Sequence, residues 1–120
     1  METSKHSVDI GFVITKSPFE SKRVEGALKM AKDAIAQGHS VGIFLISDGV
    51  FLAKRGQKNK VADLFNSVLS SSEIVIASQD HLVAAGISKD EMLEHIEISE
   101  NIYDDLVEQV MERWGRVVSI

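Results

Sequence analysis

Apolar and polar positions along this chain follow two periods. Short, nearly continuous apolar runs alternate with longer stretches whose apolar residues recur three and four apart. A strand's side chains alternate with period two and a helix's return every 3.6 residues, so the chain reads as strands alternating with helices. The first run, Val8 to Thr15, carries Ile10, Phe12, Val13 and Ile14 almost without polar interruption, as a parallel strand covered on both faces does. Ser17, Pro18 and Glu20 then predict a helix start, with a serine cap, a proline at the first helical position and a Ser-x-x-Glu capping box. The inward stripe of that helix is Val24, Ala27, Leu28, Ala31, Ala34 and Ile35, and Gly38 supplies a left-handed stop.

A second strand, Ser40 to Ile46, ends in the turn-forming group Ser47-Asp48-Gly49, followed by a short apolar stretch, Val50 to Ala53. Lys54 to Gln57 is a hinge before a helix with Val61, Leu64, Phe65 and Val68 on one face, which Ser70 to Ser72 ends. The third strand is Glu73 to Ala77. Ser78-Gln79-Asp80-His81 opens a short helix ending at Gly86, and Ser88 to Glu91 is a second capping box. Ile96 to Ile98, alternating around Glu97, predicts a half-exposed edge strand. The last long helix begins near Ser99 and is expected to bury Ile102, Tyr103, Leu106, Val107 and Val110. Gly115 is expected to stop it, and Arg116 to Ile120 reads as the closing strand.

This order predicts one open, mostly parallel α/β sheet with helices on both faces, because strand-to-strand crossovers are right-handed. In such sheets the ligand crevice lies at the carboxyl ends of the strands. Three polar clusters are delivered there: Thr15-Lys16-Ser17, Ser47-Asp48-Gly49 and Ser78-Gln79-Asp80-His81. We take Thr15, Lys16, Ser17, Ser47, Asp48, Gly49, Ser78 and Gln79 as ligand-binding candidates on that ground.

Composition narrows the classes. A length of 120 residues suits one domain. No apolar run approaches the roughly 20 residues of a membrane span, and Met1 to Asp9 lacks the apolar stretch of a secretory signal, so a cytoplasmic protein is expected. A net charge of −5 argues against nucleic acid as a partner. The charge is unevenly spread. Basic residues dominate from Lys16 to Lys60, whereas from Glu73 to Glu112 Lys89 is the only lysine or arginine. These are either solvated helix faces or an acidic face on one subunit that meets a basic face on another. The chain has no cysteine, which removes disulfides, thiolate metal sites and every cysteine mechanism.

Three residues are candidates for chemistry. Ser78 with His81 has nucleophile-and-base spacing, but no G-x-S-x-G elbow surrounds it, and a capping role for Ser78 is the preferred reading. Asp48 could act as acid, base or metal ligand, or hydrogen-bond its own turn and hold Gly49. His81 is the group best suited to titrate near neutral pH. Thr15-Lys16-Ser17 stands at a helix start, where an anion is favoured, but it lacks the glycines of a flavodoxin phosphate loop and the paired acids of a receiver domain. No histidine or carboxylate spacing suggests a metal, and no cofactor is expected.

The capped start Ser17-Pro18-Phe19-Glu20, the turn Ser47-Asp48-Gly49-Val50, Ile76-Ala77-Ser78 followed by Ala85-Gly86-Ile87, and the closing Arg116-Val117-Val118 together resemble the DsrE/DsrF-like family over nearly the whole chain. The resemblance implies a three-layer α/β/α fold around a five-stranded parallel sheet, a place in intracellular sulfur relay, and assembly into trimers or hexamers, with itself or with related subunits. In the family's catalytic members, sulfur travels as a persulfide on a cysteine just after strand three. The matching position here is Ser78, whose hydroxyl has no persulfide form. Members that lack the cysteine serve as partner subunits, so the resemblance implies a binding subunit more than an enzyme. The alternative is a small-molecule or anion-binding enzyme that uses Asp48 and His81.

Overall fold

The structure, a computed structural model, describes residues 7–19 and 22–120. Its strands are β1 (Val8–Ile14), β2 (Val41–Leu45), β3 (Ile74–Ser78), β4 (Glu97–Ser99) and β5 (Trp114–Ser119). The α-helices are α1 (Lys22–Ala36), α2 (Lys60–Leu69), α3 (Gln79–Ala84) and α4 (Ile102–Glu108). All neighbouring strands are parallel, in the order β4-β3-β2-β1-β5. The fold is α/β, as the periodicity predicts.

Strand order decides which face each helix covers. From β1 to β4 the chain steps across the sheet in one direction, so right-handed crossovers keep α1, α2 and α3 on one face. Leu28, Phe65 and Leu82 from these helices meet Phe12, Ile43 and Val75 in the larger core. The return from β4 to β5 runs the other way, and the same handedness carries α4 to the opposite face. There Ile102, Leu106 and Val110 pack on Val13, Phe44 and Ile76. Alternate residues of β1, β2 and β3 therefore feed two cores, which is why these strands read as continuous apolar runs.

The smaller core is keyed by Trp114. Gly11 and Gly42 face each other across β1 and β2, and the indole lies over both, so that a Cβ at Gly11 would overlap the ring. Phe44 completes the cluster, its ring centroid 5.3 Å from that of Trp114.

Four sequence expectations change. Pro18 is not the first helical residue: Pro18 and Phe19 form a turn, and Ser17 Oγ accepts from the Phe19 N–H at 3.1 Å. The local serine turn takes the hydroxyl that a helix cap would use. Glu20, the partner in that capping box, lies outside the described residues. Tyr103 and Val107 are exposed rather than buried, because only one edge of α4 reaches the sheet. Gly115 does not end the last helix. A π-turn, Gln109–Arg113, follows α4, and β5 begins at Trp114, whose burial under the sheet fixes the start of the strand. Gly38 does end α1: with φ +90 it lets His39 and Gly38 N–H groups bond the Ala34 and Ile35 carbonyls.

Candidate functional site

The carboxyl ends of β3 and β4 are where the topology opens. The chain leaving β3 runs over the face of α1 and α2, whereas the chain leaving β4 runs over the face of α4. Adjacent strands whose connections part to opposite faces leave a crevice between them. Here it measures about 210 Å³, and Ser78, His81, Asn101 and Tyr103 line it together with three carboxylates, Asp80, Glu100 and Asp104.

Ser78 ends β3, is almost completely buried, and caps α3 by accepting from the His81 N–H at 3.3 Å. Its oxygen therefore engages the backbone of His81, and the serine–imidazole dyad of a nucleophilic site is not formed. Ser99, at the end of β4, plays the matching part on the other wall. Its hydroxyl bonds the Asp105 carboxylate and accepts from the Asn101 N–H at 3.2 Å, which fixes the turn into α4.

His81 divides this crevice from a second depression of about 190 Å³ that holds Ser47, Asp48 and Phe51. Its Nδ1 accepts from the Ser47 N–H at 2.8 Å, so in this arrangement the ring proton is on Nε2. Tyr103 meets the ring edge-on with centroids 6.3 Å apart. Ser47 has φ +53, a left-handed conformation costly for a residue with a side chain, and the bond to His81 helps to hold it. Gly49 sits directly beneath the Ile14 carbonyl, where a Cβ would collide with the oxygen. Asp48 is exposed, and its carboxylate makes no hydrogen bond or ion pair with a described residue. The turn is held by His81 and by close packing, not by the Asp48 side chain.

The candidate residues thus separate. Ser78 and His81 meet at the crevice, while Ser47 and Asp48 lie across the imidazole from it. Gln79 faces a different depression beside Val83 and Ile98. Thr15 is spent on structure: its Oγ1 and N–H both bond the Ile120 carbonyl, at 2.6 and 2.9 Å, tying β1 to the strand beyond it. Neither Lys16 nor Ser17 lines the crevice, since β1 lies two strands from β3, roughly 10 Å away. Among the described residues no lysine or arginine lines either depression, and those that line the crevice present three carboxylates and one imidazole. Among the described residues no cluster of histidine and carboxylate side chains could hold a metal ion. No helix described here is long and apolar enough to cross a membrane.

Sequence reasoning missed Glu100, Asn101, Tyr103 and Asp104. Their signal lies in strand order and not in spacing: once β4 is placed beside β3 at the edge, the residues after β4 must share its crevice.

The family model described as DsrE/DsrF-like matches residues 9–112. The chain belongs to the DsrE/DsrF-like family. It is 34% identical over 107 residues to the uncharacterized protein MK0008 of Methanopyrus kandleri, a match covering 86% of this chain and 87% of that one. The ychN protein from E. coli shares the fold with a TM-score of 0.81 at 20% identity, over 94% of this chain and 99% of the other. Protein MTH1491 of Methanobacterium thermoautotrophicum, described as of unknown function, superposes with a TM-score of 0.73 at 19% identity, over the same shares. At those identities the two structures speak for the fold alone. Within this DsrE/DsrF-like chain, Ser78 is the last residue of β3.

Proposed function

We propose that this DsrE/DsrF-like chain serves a sulfur-relay assembly as a binding subunit and carries no sulfur itself, associating with copies of itself or with related subunits. One observation carries the reading: Ser78, in a chain with no cysteine, occupies the floor of the crevice between β3 and β4. A persulfide forms when a thiolate sulfur takes up a second sulfur atom, and a serine oxygen has no equivalent chemistry. What the crevice retains is shape, an imidazole with one fixed nitrogen, and a carboxylate wall. Those features suit holding a partner segment at the place where sulfur would pass.

The alternative, an enzyme using Asp48 and His81, has weaker support. The basic nitrogen of His81 is engaged by the Ser47 N–H, and Asp48 and Ser78 open on opposite sides of its ring.

Two measurements test the relay reading. Incubation with polysulfide is expected to leave the intact mass unchanged, and a gain of one sulfur atom that is lost on reduction would contradict it. The tagged chain, expressed in its native cell, is expected to co-purify in fixed ratio with a cysteine-bearing DsrE-type subunit. Recovery of this chain without any such subunit would overturn the relay role.

A further inference from the structure

Of the residues lining the crevice and the depression beside it, His81 alone belongs to both. Its backbone is fixed. The His81 N–H donates to Ser78 Oγ at 3.3 Å, and its carbonyl accepts from the Ala85 N–H at 3.0 Å, so any rearrangement falls on the imidazole. What sets the ring is the bond that Nδ1 accepts from the Ser47 N–H at 2.8 Å. That bond needs the lone pair of Nδ1, and an imidazolium has no lone pair on either nitrogen. Once Nδ1 takes a proton, two N–H groups point at each other, and attraction becomes repulsion. Ser47 then loses the acceptor that helps to hold its φ of +53, a conformation costly for a residue with a side chain.

The surrounding charges give the ring its direction. Asp80 on the same helix, with Glu100 and Asp104 from the chain after β4, lines the crevice side. On the other side the carboxylate is that of Asp48. The remaining titratable group against the ring is the Tyr103 phenol, whose ring centroid lies 6.3 Å away. Three opposite charges draw an imidazolium more strongly than one. We propose that His81 is a pH-operated gate of the crevice. As a neutral ring it leans on the Ser47 turn and leaves the way to Ser78 open. As an imidazolium it leaves Ser47, moves toward Asp80, Glu100 and Asp104, and closes the way. In a space of about 210 Å³, a ring displaced by its own width leaves little room for a partner's side chain. The crevice therefore admits a partner segment at neutral pH and excludes it in mild acid, across the range of about pH 8 to 5 in which imidazoles change charge. The gate concerns the shape of the crevice whatever occupies it, so it can stand where the relay reading fails, and fail where that reading stands.

Nuclear magnetic resonance of the nitrogen-labelled full chain, titrated from about pH 8 to about pH 5, reads both ends of the bond. The Ser47 amide resonance is expected to move at the midpoint of the His81 ring, and not at that of His39, which sits by Asp9. Through the same midpoint, cross-relaxation from the His81 ring to the Ser47 amide proton is expected to weaken, and that to the Tyr103 ring to strengthen. His81→Asn places an oxygen that takes no proton near the position of Nδ1, and in that variant the Ser47 amide is expected to lose the transition. Four results would each overturn the gate: a ring that stays neutral to about pH 5, a Ser47 amide indifferent to the His81 titration, ring contacts unchanged by protonation, or the same Ser47 transition in a folded His81→Asn protein. The first three need no variant, so the parent chain decides the matter even where His81→Asn fails to fold.

Discussion

Ser78 is held by three surroundings at once: the amide it caps, the strand that buries it, and the carboxylates of Asp80, Glu100 and Asp104 around the crevice it lines. Removing the cap through Ser78→Ala is expected to cost about 0.5–2 kcal/mol, read as a lower denaturant midpoint at unchanged slope. Aspartate is as good a cap as serine on an exposed helix, but here its charge would be buried beside three acids. Ser78→Asp is therefore expected to cost more than Ser78→Ala, and the reverse order would mean that the crevice is better hydrated than its burial indicates. Gly11 is constrained more sharply. Gly11→Ala drives a methyl into the Trp114 indole and is expected to lose about 1–3 kcal/mol from overpacking, with a shifted tryptophan emission maximum as the ring moves. An alanine variant with parent stability and emission would show that the indole does not lie over β1.

At the level of elements, α1 and α2 are joined across their exposed edge by Glu25, whose carboxylate meets Lys29 Nζ at 3.0 Å and Lys60 Nζ at 3.3 Å. The bonds from Lys29 and then Lys60 hold the Glu25 carboxyl below its ordinary value of 4.5. A depressed carboxylate stabilises the fold above its unfolded pKa, and that contribution disappears as pH falls through the folded value. Glu25→Gln should therefore lower the melting temperature slightly at neutral pH and have no effect in acid below both values. A difference that persists undiminished in acid would mean that the effect is packing and not charge. Asp9, held low mainly by the Ser40 N–H, and Glu91, held low by the Ser88 N–H and hydroxyl, add loss of stability over the same acid range.

Across the whole molecule, strand position sets local stability. β1, β2 and β3 each have neighbours on both sides, while β4 is three residues long and open along one edge. Amide exchange is expected to be slowest in Ile10–Ile14 and Val41–Leu45 and fastest, within the sheet, in Glu97–Ser99. Equal protection of β4 would show that another chain covers that edge in solution. The crevice lies between the strand expected to open first and a more protected one, so its β4 wall is the adjustable one.

Much of this was legible without coordinates because it is local. Two-sided strands such as Phe12-Val13-Ile14, the left-handed stop at Gly38, the cap at Ser78 and the edge character of Ile96 to Ile98 depend on neighbours a few residues away, and periodicity reports those. The sequence alone also settled that no sulfur can be carried on cysteine here. Tertiary structure decided the rest. A helical stripe cannot say which of its apolar residues meet the sheet, so Tyr103 and Val107 read as core until α4 was found alone on its face. Spacing cannot say that Thr15 would bond the end of the chain, nor that the Ser47 N–H would take the imidazole of His81. Nor can it reveal that residues after β4 would wall the crevice, because that follows from strand order, which is set by crossover handedness and by burial summed over the whole sheet.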